Sequence, residues 1–247
     1  MTCLVIDIGN TLIKIAVFKQ DELLEVNQYE TVTAVVLDAL LDRYKPVKGI
    51  VSSVKKSTEA WQSELEAKIP LVHFNTLMTS GIKNHYLTPQ TLGPDRLAAV
   101  IGAANIYPEQ NSLVVTGGTA ITYDGVDTAG NYFGGSISPG LNMRYKALNY
   151  YTAGLPLVEA DQGFEAGYGN DTTSAIRSGV QNGIKYELIG FIESYKTEGQ
   201  QLNIILSGGD SNFFDTLLKN SIFAPYIKIE PYLVLKGLNA AIQKHND

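Results

Sequence analysis

The sequence predicts an α/β protein made of two similar domains, residues 1–110 and 111–247. Two observations support this prediction. Short apolar runs alternate with segments of helical spacing through the first half of the chain, which is typical of α/β proteins. An apolar run, a glycine-containing turn and a second apolar run then occur twice, at 3–18 and again at 113–123. This recurrence indicates an internal duplication with a boundary near Asn111.

Apolar runs and turn residues predict the elements of the first half. A Gly9-Asn10 turn separates the first two runs, so we expect a hairpin there. The predicted helix 31–44 would place Val35, Val36, Leu40 and Leu41 on one face. The segment 79–94 contains Pro and Gly and is predicted to be an ordered loop. The predicted strands are 3–8, 12–18, 23–29, 49–54 and 71–74, and the predicted helices are 31–44, 57–69 and 96–107.

The second half begins with strands and continues mainly with helices. Gly117 and Gly118 separate the first two of these strands, as Gly9 does in the first half. The predicted strands are 113–115, 120–123, 132–137 and 202–206, and the predicted helices are 140–150, 171–195, 212–220 and 233–245.

Composition excludes several classes of protein. Hydrophobic residues make up 45% of the chain and charged residues 18%, which predicts a folded globular protein. A net charge of −6 argues against a nucleic-acid partner, because phosphate binding needs clustered Lys and Arg. The single cysteine, Cys3, allows no internal disulfide and fits a reducing compartment. No apolar run approaches about 18 residues and no signal peptide is evident, so we expect a cytoplasmic protein without a membrane partner.

The segment from Asp7 to Lys14 is the first candidate binding loop. Its glycine lets backbone N–H groups approach a phosphate, and the acidic residue at the strand end could hold a metal–nucleotide complex. A plain hairpin with an Asx-type turn would explain Gly9 and Asn10 equally well, but it would not explain an acid between Ile6 and Ile8.

Two later glycine turns are also candidates. Gly117-Gly118-Thr119-Ala120 repeats the strand, turn, strand arrangement, so the two loops could bind a polyphosphate together. The alternative is two ordinary tight turns. In Ser207-Gly208-Gly209-Asp210 a strand runs into a double glycine, where an adenine ring or ribose could lie against bare backbone near a helix N-terminus.

Taken in order, these motifs resemble the phosphate and adenosine loops of the acetate and sugar kinase, heat-shock ATPase and actin superfamily. Within it, Tyr86 followed by Leu92-Gly93-Pro94-Asp95-Arg96 resembles the substrate segment of type III pantothenate kinases. The resemblance implies a duplicated ribonuclease-H-like fold, with a mixed five-stranded sheet flanked by helices in each domain. It also implies ATP-dependent phosphorylation of pantothenate, with ATP bound together with Mg²⁺, and a homodimer.

The resemblance also assigns roles to individual residues. Asp95 would be the catalytic base that accepts the proton of the attacking hydroxyl. The alternative for Asp95 and Arg96 is helix-start chemistry, with the arginine solvated. The implied ATP contacts are Asp7, Ile8, Gly9, Asn10, Thr11, Leu12, Ile13, Lys14, Thr119, Gly208 and Gly209, and the implied pantothenate contacts are Tyr86, Gly93, Pro94, Asp95, Arg96 and Thr172.

One position departs from the family pattern. The family has an Asp two residues before the second glycine of the second loop, in a site for K⁺ or NH₄⁺, and this chain has Thr116 there. The departure puts the monovalent cation in doubt and leaves the metal ligands unassigned. It also keeps open a catalytically impaired accessory or regulatory protein, and a phosphatase or sugar kinase of the superfamily is a further alternative.

Overall fold

The computed structural model describes residues 1–55 and 59–244, and these residues form two compact units. The first unit contains Met1–Glu109, Ala129–Phe133 and the segment from Tyr232 onward, and the second contains Gln110–Thr128 and Gly134–Pro231. The domain division 1–110 and 111–247 stays a prediction. By contact, the C-terminal helix belongs to the first unit.

The chain alternates strands and helices in both units, with short 3₁₀ turns at Pro89–Thr91 and Ala224–Tyr226. The strands are β1 (Thr2–Ile8), β2 (Ile13–Lys19), β3 (Glu22–Tyr29), β4 (Lys48–Ser53), β5 (Leu71–His73), β6 (Lys83–Asn84), β7 (Asn111–Gly117), β8 (Ala120–Val126), β9 (Asn131–Pro139), β10 (Leu202–Gly208) and β11 (Ile227–Ile229). The helices are α1 (Ala34–Tyr44), α2 (Ala60–Glu66), α3 (Pro94–Ile106), α4 (Leu141–Tyr151), α5 (Thr172–Arg177), α6 (Gly183–Tyr195), α7 (Ser211–Leu218) and α8 (Leu233–Lys244).

The sheet of the first unit has the strand order β3-β2-β1-β4-β5. β1 pairs antiparallel with β2 and parallel with β4, so the sheet is mixed. Because side chains alternate along a strand, Leu4, Ile6 and Ile8 of β1 face a core shared with α1 and α2. The opposite face packs against α8, where buried Lys48 donates to the carbonyl oxygen of Ile242. Helices therefore cover both faces of this sheet.

The sheet of the second unit repeats that order. β7 pairs antiparallel with β8 and parallel with β10, and the strands run β11-β10-β7-β8-β9. Read from its other end, this series matches the first sheet strand by strand: β7, β8, β9, β10 and β11 correspond to β1, β2, β3, β4 and β5. The prediction of a duplicated α/β fold with mixed sheets is therefore confirmed. One strand is additional: β6 pairs in parallel with Asn131 and Tyr132 at the start of β9, and these segments lie in the first unit.

Several predicted elements need correction. The helix predicted over 171–195 is interrupted by a π-helical turn at Ser178–Asn182 between α5 and α6. Val35 is 77% exposed, so its predicted place on the apolar face of α1 is wrong. The loop predicted at 79–94 contains β6 and a 3₁₀ turn.

Some predicted residues lie outside the described part of the chain. They are Ser57 and its neighbour Thr58 at the start of the predicted helix 57–69, and His245 at the end of the last one. Among the helices of the described residues, none combines the length and apolar character that crossing a bilayer requires.

Candidate active site

The first candidate loop connects the carboxyl end of the central strand β1 to β2 in the first unit's sheet. The N–H of Gly9 donates to the carbonyl oxygen of Leu12 at 3.1 Å, which closes a tight turn. Asn10 and Thr11 are exposed at its tip, where backbone N–H groups could reach a ligand. Lys14 lies directly opposite Asp7 in the antiparallel register, so an ammonium group and a carboxylate are adjacent at the strand end.

Asp7 is buried, and one of its carboxylate oxygens, Oδ1, has no hydrogen-bond partner. Burial raises the pKa of Asp7 to about 6; the neighbouring Lys14 opposes this rise and the negative charge of Asp95 adds to it. A buried, incompletely paired carboxylate is costly unless it has a function. A plain hairpin does not account for this buried carboxylate, so Asp7 stays a candidate site residue.

Helix α3 carries a second candidate carboxylate, Asp95. Gly93 is its N-cap, Pro94 is its first residue, and Asp95 lies in the first turn, where Oδ1 accepts a hydrogen bond from the N–H of Arg96 at 3.0 Å. Both carboxylates lie in the first unit, and Asp95 is near enough for its charge to contribute to the raised pKa of Asp7. A pair of carboxylates is suited to holding a cation and accepting a proton.

Arg96 is buried, at 6% exposed, so the alternative in which it is solvated is wrong. Its guanidinium carbon lies 5.7 Å from the centre of the Tyr86 ring, within cation–π range. Tyr86 in turn stacks in parallel with Tyr132, with the ring centres 6.5 Å apart. Tyr132 was not among the predicted site residues, because nothing in its local sequence distinguishes it from a core tyrosine.

The second candidate loop, in the second unit, also joins two antiparallel strands by a glycine turn, and it is shorter than the first. The N–H of Gly118 donates to the carbonyl oxygen of Ala120 at 3.1 Å, as Gly9 does to Leu12, and Thr119 is exposed at the tip. Gly140 packs against this loop. A Cβ atom at position 140 would lie 2.0 Å from the carbonyl oxygen of Gly118, so only glycine fits.

The third candidate loop follows β10 in the second unit. Gly208 has a φ of +79°, which favours glycine, and a Cβ there would lie 2.2 Å from the carbonyl oxygen of Gly117. Gly209 is exposed, with open space where a side chain would be. The structure therefore brings the second and third loops together. Thr172 is also in the second unit and is exposed at the start of α5, where Asp171 forms a capping box with Ser174.

A hydrogen-bonded network that the sequence did not reveal supports the second loop. Glu187 on α6 accepts hydrogen bonds from Tyr123, Ser138 and Arg144. Arg144 also donates to the carbonyl oxygen of Pro139 at 2.8 Å. The next residue, Gly140, donates its N–H to the carbonyl oxygen of Thr119 at 3.1 Å. The network thus holds the segment that packs on the loop.

Replacing Glu187 by glutamine should lower the free energy of unfolding by about 2 kcal/mol, because it removes a charged acceptor from three donors. Burial alone would raise the pKa of Glu187, but these hydrogen bonds outweigh it and hold the pKa below its ordinary value. The stabilisation from this depressed pKa is complete at pH values above the pKa that Glu187 has in the unfolded chain. It is lost as the pH falls through the lower pKa that Glu187 has in the folded protein. The difference between wild type and variant should therefore shrink in acid.

Urea unfolding at neutral and acidic pH measures this effect. The matched control is Glu193→Gln on the same helix, since Glu193 forms an exposed ion pair with Lys196 at 3.6 Å. That change should cost less than about 1 kcal/mol. Equal losses for the two variants would contradict a supporting role for the network.

The two candidate loops offer a cation different kinds of ligand. Among the described residues no group of three or more His, Cys, Asp or Glu could hold a metal by itself. Mg²⁺ needs no such cage, because one or two carboxylates, waters and substrate phosphates suffice, and Asp7 is a suitable carboxylate. Beside the second loop, the buried hydroxyls of Thr116 and its register partner Ser207 are both unpaired and uncharged. They offer a cation neutral oxygens and no carboxylate.

Comparison with known proteins places the chain in a family. Residues 3–195 match the family model of type III pantothenate kinase. Type III pantothenate kinases from Bacteroides fragilis strain YCH46 and from Phocaeicola vulgatus are 42% and 43% identical to the chain. These alignments extend over 244 and 249 residues, which cover 98–99% of this chain and 98% of each relative.

Two solved structures support the fold at low sequence identity. A conserved Baf family protein from Campylobacter jejuni is 21% identical with a TM-score of 0.62, and the alignment covers 98% of both chains. The activator of 2-hydroxyisocaproyl-CoA dehydratase from Clostridium difficile, solved with bound ADPNP, is 11% identical with a TM-score of 0.58 over 100% of this chain and 97% of that one. The chain therefore has the duplicated ribonuclease-H-like fold and belongs to the type III pantothenate kinase family.

Proposed function

We propose that the chain transfers the γ-phosphoryl group of ATP to pantothenate and forms 4′-phosphopantothenate, the first step of coenzyme A biosynthesis. The single observation that carries this proposal is the start of α3, where Asp95 lies close to buried Asp7 and precedes buried Arg96. The first unit thereby provides a proton acceptor, a cation ligand and a carboxylate-binding group.

Asp95 is the proposed general base. The primary hydroxyl oxygen of pantothenate forms a bond to the γ-phosphorus, its proton passes to the Asp95 carboxylate, and the bond from the γ-phosphorus to the bridging oxygen of ADP breaks. Arg96 is proposed to bind the pantothenate carboxylate, for which its planar guanidinium is suited. The other proposed pantothenate contacts are Tyr86, Gly93, Pro94 and Thr172.

The glycine-containing loops are the proposed ATP site. Asp7 and Lys14, with the backbone between them, are proposed to bind the phosphates, and Thr119 is a further contact. Gly208 and Gly209 are proposed to lie against the adenosine. Mg²⁺, held by Asp7 and the phosphates, would neutralise the charge that develops on the transferred group. We also propose a cytoplasmic homodimer, as the resemblance to the family implies. The comparisons give no support to an accessory protein without turnover.

ADP release coupled to a spectrophotometric readout tests the proposed function. ADP should appear only when ATP, Mg²⁺ and pantothenate are all present, and glucose should not replace pantothenate. A rate that is independent of pantothenate, or that requires a sugar, would show that the substrate is wrongly assigned.

Thr116 predicts a weak response to monovalent cations. Activity should change by less than about threefold between a choline buffer and one with K⁺ or NH₄⁺ at equal ionic strength, because neutral hydroxyls bind a cation weakly. Thr116→Asp should steepen the response, since a carboxylate adds an anionic oxygen ligand. Titration of either ion against ADP release measures both, and an absolute requirement in the wild type would refute the prediction.

A further inference from the structure

Among the described residues, four of the six buried side-chain polar atoms that lack a hydrogen-bond partner follow a pattern in this fold. These four atoms occur at the carboxyl ends of corresponding strands in both units. In the first unit they are Asp7 Oδ1 on β1 and Ser52 Oγ on β4, and in the second they are Thr116 Oγ1 on β7 and Ser207 Oγ on β10. Unpaired buried polar groups are rare and often mark a site for water or a ligand. Their repetition argues against chance.

Ser52 is the hydroxyl of this set that lies beside an acidic side chain. It is fully buried and is the parallel register partner of Asp7, on the neighbouring strand. Neighbouring strands lie about 4.8 Å apart and register partners point to the same face of a sheet. The Ser52 hydroxyl and the Asp7 carboxylate therefore lie side by side beneath the first loop. Neither Asp7 Oδ1 nor Ser52 Oγ has a hydrogen-bond partner, and one water between them would satisfy both atoms through two hydrogen bonds.

We propose that Ser52 is a positioning residue for Asp7, and that its hydroxyl, through one buried water, donates to Asp7 Oδ1 and fixes the carboxylate beside the ATP loop. This inference rests on the proposed role of Asp7 in binding ATP. Fixing Oδ1 from below leaves the carboxylate's second oxygen for the metal–nucleotide complex. The hydroxyl suits this task because it donates to the carboxylate without adding a charge that would compete with the cation.

The second unit provides a comparison within the same chain. Thr116 and Ser207 are register partners just as Asp7 and Ser52 are, but both are neutral. Only the first unit combines an acidic side chain with the buried serine. At these strand ends, a buried hydroxyl beside a carboxylate therefore occurs in the first unit and not in the second.

The test compares Ser52→Ala with Ser112→Ala. Ser112 is matched because it is also a buried strand serine with an unpaired hydroxyl, but it lies near the amino end of β7, four residues before Thr116. Isothermal titration calorimetry with Mg²⁺ and a non-hydrolysable ATP analogue measures binding without turnover. Ser52→Ala should weaken binding about tenfold and leave the melting temperature equal to or above that of the wild type. Ser112→Ala should leave binding unchanged.

A double-mutant cycle with Asp7→Asn shows whether Ser52 acts through Asp7. In the Asp7→Asn background, Ser52→Ala should change binding by less than about twofold, because the group that it positions is already altered. Ser52→Thr, which keeps the hydroxyl, should bind more tightly than Ser52→Ala. Unchanged binding in Ser52→Ala, or a full tenfold loss that persists with Asp7→Asn, would overturn the inference. Unchanged binding in Asp7→Asn itself would instead overturn the proposed ATP site.

Discussion

Replacing Asp95 by asparagine is expected to lower turnover by about 10²–10⁴-fold, the usual contribution of a positioned general base. Asparagine keeps the size of the side chain and its ability to accept the hydrogen bond from the Arg96 N–H, but it cannot take a proton. Binding of ATP should change little, since the proposed ATP contacts lie on the glycine loops. Single-turnover kinetics with saturating ATP and pantothenate measures the loss.

The helix-start alternative makes the opposite forecast for this variant. Asparagine is well tolerated at helix N-termini, so under that alternative Asp95→Asn would be nearly silent. A variant that retains more than about a tenth of the wild-type turnover would remove Asp95 from the mechanism. Arg96→Ala serves as the contrasting change, because it should raise the KM for pantothenate before it affects the chemical step.

Replacing Gly237 by alanine should destabilise the protein by about 3 kcal/mol, the upper range for an overpacked core. Gly237 lies where α8 crosses α3 in the first unit. A Cβ atom there would lie 1.7 Å from the carbonyl oxygen of Ala98 and 2.9 Å from the backbone nitrogen of Gly102. Both are backbone atoms, so the helices would have to separate. Because α3 carries Asp95, turnover should fall as well.

Gly190→Ala is the matched control for this change. Gly190 is inside helix α6. Apart from the adjacent backbone of that helix, no atom lies within 4 Å of where its Cβ would be. Alanine should stabilise that helix by up to about 1 kcal/mol. Urea unfolding of both variants measures the loss of stability in Gly237→Ala and the gain in Gly190→Ala. A Gly237→Ala protein as stable as the wild type would show that α3 and α8 can move apart at little cost.

The strands around the glycine turns were predictable from local sequence. Apolar runs flank Gly9 and Gly118 on both sides, and hairpins form from residues adjacent in the chain. By contrast, β6 and β11 have two and three residues, and their existence depends on partners far away in sequence. The prediction for Val35 was wrong because α1 has more apolar residues than the core buries. Helical spacing alone does not show which side of the helix faces the sheet.

The candidate site was predictable only where it is continuous in sequence. The glycine loops and the segment from Gly93 to Arg96 carry their own motifs. The Glu187 network does not, because Tyr123 and Glu187 are 64 residues apart and meet only through packing of α6 on β8. Ser52 was missed for a similar reason, since its importance comes from the parallel register with Asp7.

Direct detection of the phosphorylated product in a single turnover tests the central claim most closely. Enzyme in excess of ATP is mixed with Mg²⁺ and pantothenate, the reaction is quenched at intervals, and the products are separated and identified by mass spectrometry. The proposed function predicts that 4′-phosphopantothenate and ADP appear together in equal amounts. ADP with free phosphate and unmodified pantothenate would contradict it.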